Sequence, residues 1–157
     1  MTRVVQVCFG TPGRGGPATA LTNFVSVSNN EYPIVWQKRA AGGISISQIW
    51  GMSREIRQYR PALVHVRGLG NEGFHGVLAA RLGGARKVLL SIHGTQRDIQ
   101  SDKGKLRRYL VVNILEPLSI KLADRITTVC EFAASRRFLD RYRSKLTAPV
   151  PNGVPLP

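Results

Sequence analysis

Residues 87–97 read KVLLSIHGTQR: an apolar run, Lys87 to Ile92, passes directly into His93, Gly94 and a small polar loop. Such a run is the signature of a strand buried on both faces of a parallel sheet. A parallel strand presents its function just beyond its carboxyl end, which makes His93 a candidate ligand contact. The fold follows from asking what surrounds this strand.

Upstream, Ala62 to Arg67 reads as another strand, and GLGNEG leads from it into a helix with Phe74, Val77, Leu78 and Leu82 inward. Gly83 and Gly84 stop that helix in the manner of glycine terminators. At the amino end, Arg3 to Phe9 is a Val-rich strand closed by the loop GTPGRGGPATA, with glycines at 10, 13, 15 and 16. Pro17 stands where a helix starts at no cost in hydrogen bonds, and Ala18, Leu21, Phe24 and Val25 give that helix its stripe. Ile34 to Lys38 is the second strand, and KRAAGG leads to a helix capped by Ser45 or Ser47, with Ile46, Ile49, Trp50, Ser53 and Ile56 on one face. Arg60-Pro61 ends it.

Downstream, residues 98–108 are polar and basic, Tyr109 to Leu115 is apolar, and Pro117 restarts or kinks a helix running to Ala123. Arg125 to Cys130 is a fifth strand. A helix follows, with Phe132, Leu139 and Tyr142 on one side and Arg136, Arg137, Arg141 and Arg143 around it. Leu146 to Val150 reads as a sixth strand, and PNGVPLP as a turn and linker. This β-α alternation predicts an α/β fold: a doubly wound, Rossmann-like parallel sheet of about six strands with helices on both faces. The loops after strands one, three and four then converge on one crevice.

At 157 residues and 43% hydrophobic composition the chain suits one folded domain. Its 23 Lys and Arg against 9 Asp and Glu give a net charge of +14, a field that draws phosphates, nucleotides, acidic glycans or anionic lipid headgroups. No stretch approaches the roughly 18 to 20 apolar residues of a membrane span, and the amino terminus lacks a signal-peptide core, so a cytoplasmic location is expected. Cys8 and Cys130 fall in expected strands without metal-ligand spacing and read as small buried thiols.

The glycine loop is the clearest chemical signal, because its backbone amides and the helix start behind it suit an anion. GTPGRGG is neither the dinucleotide fingerprint nor a P-loop, so a plain tight turn fits the same residues. His93 is either a structural residue or a hydrogen-bonding group; no Ser-His-Asp set, nucleophile elbow or HxxxH pair accompanies it, which argues against hydrolase and zinc chemistry. His65, in mid-strand, reads as a hydrogen-bonded core residue and His75 as a helix-surface residue. The segment KGKLRRYLVV alternates basic and apolar residues, as does a helix lying on an anionic membrane, and equally a solvated basic face over core residues. Nucleic acid is disfavoured, since only charge would support it.

Five of these stretches, in order, resemble the N-terminal half of a retaining glycosyltransferase of the GT-B fold, of glycosyltransferase group 1 and family-four-like type. They are GRGGPATALTNF, VHVRG, SIHGT, LADRITTVCE and PNGV, and the resemblance covers essentially the whole chain. It implies that residues 1–150 form an acceptor-binding domain and 151–157 begin an interdomain linker, with a C-terminal donor-binding domain absent. It also implies a nucleotide-sugar donor contacted by Gly15, Gly16 and His93, with His93 also the catalytic-site residue that bonds the transferred sugar. An anionic or lipid-linked acceptor would be contacted by Arg14, Arg67, Asn71, Thr95 and Arg97. No metal or other cofactor is expected. A C-terminal half or partner subunit would complete the enzyme, which is expected to be inactive without it, and a peripheral position on the inner face of a membrane fits the charge; the alternative is a non-catalytic module that binds an anionic ligand or a membrane surface. Asp124 and Asn152 match positions read as structural. The sequence departs from the family pattern in having no two glutamates eight positions apart, Cys130 for a serine and Pro155 for an aspartate.

Overall fold

Five of the apolar runs become strands in the computed structural model, which describes residues 3–12, 14–39, 43–98 and 104–152. They are β1 (Val4–Phe9), β2 (Ile34–Gln37), β3 (Leu63–Arg67), β4 (Lys87–Ile92) and β5 (Arg125–Thr128), all parallel, in the order β2-β1-β3-β4-β5. The helices are α1 (Gly16–Ser26), α2 (Ile46–Gln58), α3 (Gly70–Leu82), α4 (Lys105–Leu110), α5 (Glu116–Leu122) and α6 (Glu131–Ala134). Right-handed crossovers carry the chain from β1 to β2 on one side, then back across β1 to β3, which sets α1 on one face of the sheet and α2 and α3 on the other. The core divides accordingly: Cys8, Ala18 and Leu21 form a small cluster under α1, and Val5, Ile56, Val64, Val77, Val88, Leu90 and Ile120 belong to the large one.

Among the described residues the sheet has five strands, slightly fewer than the expected six or so. Residues 146–150 do run alongside β5, with a single bridge from Ile126 to Leu146 and amides of Thr147 and Val150 donating to Ile126 and Thr128 oxygens at 2.9 and 2.8 Å. Pro149 has no N–H to donate, so a regular ladder does not form there. β5 itself ends at Thr128, whose hydroxyl donates to the Cys130 carbonyl at 3.0 Å. Cys130 therefore leaves the sheet and is exposed at the start of α6, contrary to the buried strand position expected of it, whereas Cys8 is buried.

Other expectations change for equally local reasons. His75 is not on the surface: it is fully buried, and its Nε2 accepts the Ser45 amide at 2.8 Å, which leaves Nδ1 to donate to the Asn71 carbonyl at 2.6 Å. α2 buries Ile49, Met52, Ser53 and Ile56, which leaves Ile46 and Trp50 beside the stripe and exposed, with the Arg54 guanidinium 5.5 Å from the Trp50 ring. Leu82, Phe24 and Phe132 are also exposed. The segment after β5 is broken at the extended Arg136 into α6 and a 3-10 helix, Arg137–Lys145, which buries Leu139 and Tyr142. Ser45 caps α2, its hydroxyl accepting the Gln48 amide.

Helix α3 lies very close to the sheet because small residues face it. A methyl group at Gly73 would stand 2.5 Å from the Gly68 carbonyl oxygen, and one at Gly76 would stand 2.6 Å from a Val66 methyl. Between α4 and α5 the backbone widens into a π turn, Val111–Leu115. Pro117 follows at once, and a wider turn accommodates a ring that cannot donate to, and would clash with, the carbonyl a turn earlier. Asp124 closes the bottom of the sheet: its carboxylate accepts the Val88 amide at 2.7 Å and an Arg81 guanidinium N–H at 2.8 Å, with the Lys87 ammonium at 3.5 Å. Of the expected linker, 151–157, only Pro151 and Asn152 lie within the described residues.

Candidate functional site

The strand order decides where a ligand can lie. β2 and β3 flank β1 on opposite sides, so the connections leaving the carboxyl ends of β1 and β3 diverge and open a crevice between them. The loop after β1 forms one lip. Thr11 and Arg14 pair across it, the Arg14 amide donating to the Thr11 carbonyl at 3.0 Å, and the Gly15 carbonyl accepts the first helical bond, from Thr19, at 2.9 Å. Gly15 has φ 89°, a geometry that favours glycine, while Gly16 needs none. Both are exposed with open space where a side chain would stand, so an incoming ligand can approach the backbone here. Arg14 is exposed beside them; Gly13 lies outside the described residues.

The other lip comes from an alternation within the strands. Val64, Val66, Val88, Leu90 and Ile92 belong to the large core, while the residues between them point to the face that carries α1. Those residues include Gln6 and Cys8 on β1, His65 and Arg67 on β3, and Ser91 on β4 with His93 just past its end. In register, Cys8 stands beside Arg67 and Arg67 beside Ser91. His65 Nε2 lies 2.6 Å from the Ser91 hydroxyl, and the Gly68 amide donates to the Ser91 carbonyl at 2.9 Å.

Arg67 is the centre of this stripe. Among the described residues no carboxylate pairs with it, its buried Nε has no hydrogen-bond partner, and its guanidinium sits 5.9 Å from the Phe24 ring of α1. Burial pulls its pKa down, against a small opposing pull from Cys8. The same guanidinium tunes its neighbours. Burial, then the Arg67 charge, lowers His93 to about 4. Burial, then Arg67, then His93 lowers His65 to about 3. Burial raises the Cys8 thiol to about 11 although Arg67 acts to lower it. At neutral pH the edge therefore holds two neutral imidazoles, a protonated thiol and one cation without an internal anion. The buried Nε2 of His93 has no partner among the described residues. Such an arrangement suits polar and anionic contact.

The remaining expected residues are committed elsewhere. Asn71, in the first turn of α3, donates from Nδ2 to the Gly43 carbonyl at 3.0 Å. Thr95 donates to Glu116 Oε1 at 2.8 Å; Arg97 donates to Glu116 Oε2 at 3.2 Å and to the Val112 carbonyl at 2.6 Å, and lies 4.9 Å from the Phe138 ring. Glu116 is fully buried, so Thr95 and Arg97 serve to neutralise and tether it, fixing the loop after His93 to α5. The structure thus brings Arg67 and His93 together at the crevice, with Gly15, Gly16 and Arg14 on the adjacent strand's loop. Ser91, His65 and Cys8 join the site as neighbours not expected there; their signal is the polar residue at every second position in VVQVCF, LVHVR and LLSIH. Glu116 is also unexpected, and its signal is a lone acid in the apolar run VVNILEPL. No group of three or more metal-ligating side chains occurs among the described residues.

Solved structures share the fold, and three of them illustrate it. They are S. aureus MnaA in a co-structure with UDP (TM-score 0.66, 17% identity, 94% of this chain and 44% of that one), UDP-GlcNAc 2-epimerase from Methanocaldococcus jannaschii (0.58, 15%, 92% and 45%), and UDP-GlcNAc 2-epimerase from Neisseria meningitidis bound to UDP-GlcNAc (0.56, 14%, 92% and 45%). The chain spans less than half the length of each. With the parallel sheet and its crevice, this likeness defines a Rossmann-like N-terminal domain of the GT-B fold. Within that class the chain belongs to Glycosyltransferase Family 4, whose pattern it matches over residues 3–156. No curated protein sequence matches it.

Proposed function

We propose that this domain is the acceptor-binding half of a retaining glycosyltransferase, which moves a sugar from a nucleotide-sugar donor to an acceptor hydroxyl. The observation that carries the reading is the Arg67–His93 pair: a cation with no carboxylate partner among the described residues, next to an imidazole held neutral, at the crevice beside the glycine loop. Two of the structural relatives were solved with UDP or a UDP-sugar, which supports a nucleotide-sugar donor.

In this reading the backbone of Gly15 and Gly16 lies against the donor phosphates and the reacting sugar, where a Cβ would intrude. His93, neutral, hydrogen-bonds a hydroxyl of the transferred sugar and so orients the anomeric carbon. Arg67 and the exposed Arg14 attract an anionic group of the acceptor, and the net charge of +14 raises the encounter rate with it. Thr95 and Arg97 position the loop after His93 through Glu116 rather than touching substrate, and Asn71 holds the segment before α2. The nucleoside diphosphate departs toward cations supplied by a second domain or subunit, so this domain alone does not turn over. No metal is required of it.

The test is release of nucleoside diphosphate from a panel of nucleotide sugars, by this chain alone and by an enzyme in which it is joined to a second domain. Turnover only in the joined enzyme, strongly reduced by His93→Ala with the fold unchanged, supports the proposal. Robust turnover by the chain alone would falsify it, and wild-type rates in the His93→Ala enzyme would remove His93 from the site.

A further inference from the structure

Helix α4, the π turn and α5 carry an apolar row that the core does not use. Leu106, Leu110, Ile114 and Leu118 recur every four residues and are 73%, 43%, 50% and 38% exposed, with Tyr109 beside them at 62%. In a uniform α-helix each four-residue step overshoots the turn by about 40°, so such a row would wind away from its starting face. The wide turn between residues 111 and 115 undershoots instead and takes back part of that drift, which keeps the row on one side. Val111 and Leu115 are buried and form the floor of the face. Across the row, exposed Ile44 closes a groove of about 500 Å³ that Leu106, Leu110 and Ile114 also line.

Charge accompanies this row. Lys105 and Arg107, both exposed, lie on either side of Leu106, Lys121 is exposed near the far end, and α4 has no acidic residue. Arg108 turns inward, its guanidinium donating to the Arg97 carbonyl at 3.2 Å. An apolar row bordered by cations, on a chain of net charge +14, is complementary to an apolar surface with an anionic border. That description fits a bilayer interface containing acidic lipid.

We propose that the α4–α5 face is a membrane-docking surface, with Leu106, Leu110 and Ile114 entering the headgroup region and Lys105 and Arg107 engaging acidic lipid headgroups. The docking does not rest on the sugar-transfer reading, since neither Arg67 nor His93 takes part. The full chain is tested by flotation with vesicles of phosphatidylcholine and of phosphatidylcholine mixed with phosphatidylglycerol. It should float with the mixed vesicles, float poorly with the neutral ones, and be released as salt rises.

Leu106→Ser combined with Ile114→Ser should abolish flotation with an unchanged circular dichroism spectrum. Lys105→Gln with Arg107→Gln, which leaves the apolar row intact, should weaken binding about fivefold per charge removed. No flotation with mixed vesicles at low salt overturns the proposal, and so does full binding by the serine variant, which would mean that charge alone is at work. Sedimentation velocity without lipid supplies the last outcome: a dimer that the serine variant abolishes would show that a second copy of the chain covers the row, and the proposal would fall.

Discussion

Replacing Gly73 with alanine and Gly51 with alanine should change stability in opposite directions. Both glycines are helical, Gly73 in α3 and Gly51 in α2, and glycine costs a helix about 1 kcal/mol relative to alanine. At Gly51 nothing lies within 4 Å of the new methyl group, so the propensity gain is kept. At Gly73 the methyl would stand 2.5 Å from the Gly68 carbonyl oxygen and 3.1 Å from its carbon, both backbone atoms that no rotamer change can move. Overpacking of this kind costs about 1–3 kcal/mol, and here the amino end of α3 must lift from the sheet. The net expectation is about 0.5–1 kcal/mol gained at Gly51 and about 1–2 kcal/mol lost at Gly73. For a domain of this size each kcal/mol moves the melting temperature by about 2–4 °C. Urea unfolding followed by circular dichroism measures both, and a Gly73→Ala protein as stable as the wild type would refute the close approach of α3 to the Gly68 carbonyl just past β3.

Two further perturbations probe the electrostatics. Asp124→Ala strips the Val88 amide and the Arg81 guanidinium of their carboxylate and should cost about 2 kcal/mol, read by urea unfolding. Burial works to raise the Asp124 pKa, but the Val88 and Arg81 bonds and the Lys87 charge outweigh it, so this stabilisation is present above the ordinary carboxylate pKa and is lost only as pH falls through the lowered one. His65 and His93 act in a different window. Their folded values of about 3 and about 4 lie below the ordinary 6.5, so the unfolded chain binds more protons in between. Their share of stability is complete above pH 6.5 and drains as pH falls toward about 4 and 3, each at up to about 1.4 kcal/mol per pH unit. A stability–pH curve flat from pH 7 to 5 would contradict their burial as neutral groups.

The sheet and its edge were legible because short apolar runs and glycine or proline punctuation specify parallel strands almost locally. Lys87 to Ile92 and Ala62 to Arg67 needed little more than their composition. Side-chain surroundings were less legible wherever tertiary packing decided them. His75 has a polar neighbour on each side in space, Ser45 and Asn71, of which only Asn71 is near in sequence. Thr95 and Arg97 look like free polar residues after a strand until α5 brings the buried Glu116 to them. The polar alternation through Cys8, His65, Arg67 and Ser91 was written in the sequence, but it becomes a site only once the order β1-β3-β4 lines those positions up.

The ligand edge at His93 and Arg67 is tested most directly in an enzyme in which this domain is joined to a second domain, by the imidazole carbon-bound proton signals of this domain's three histidines during titration with a nucleotide sugar. His93, whose buried Nε2 has no partner among the described residues, should shift with ligand, and Arg67→Gln should raise its pKa above about 4 toward the ordinary 6.5. His75, on α3 and held between Ser45 and Asn71, should stay where it is. A His93 signal unmoved by ligand, or a shift confined to His75, would place binding elsewhere on the molecule.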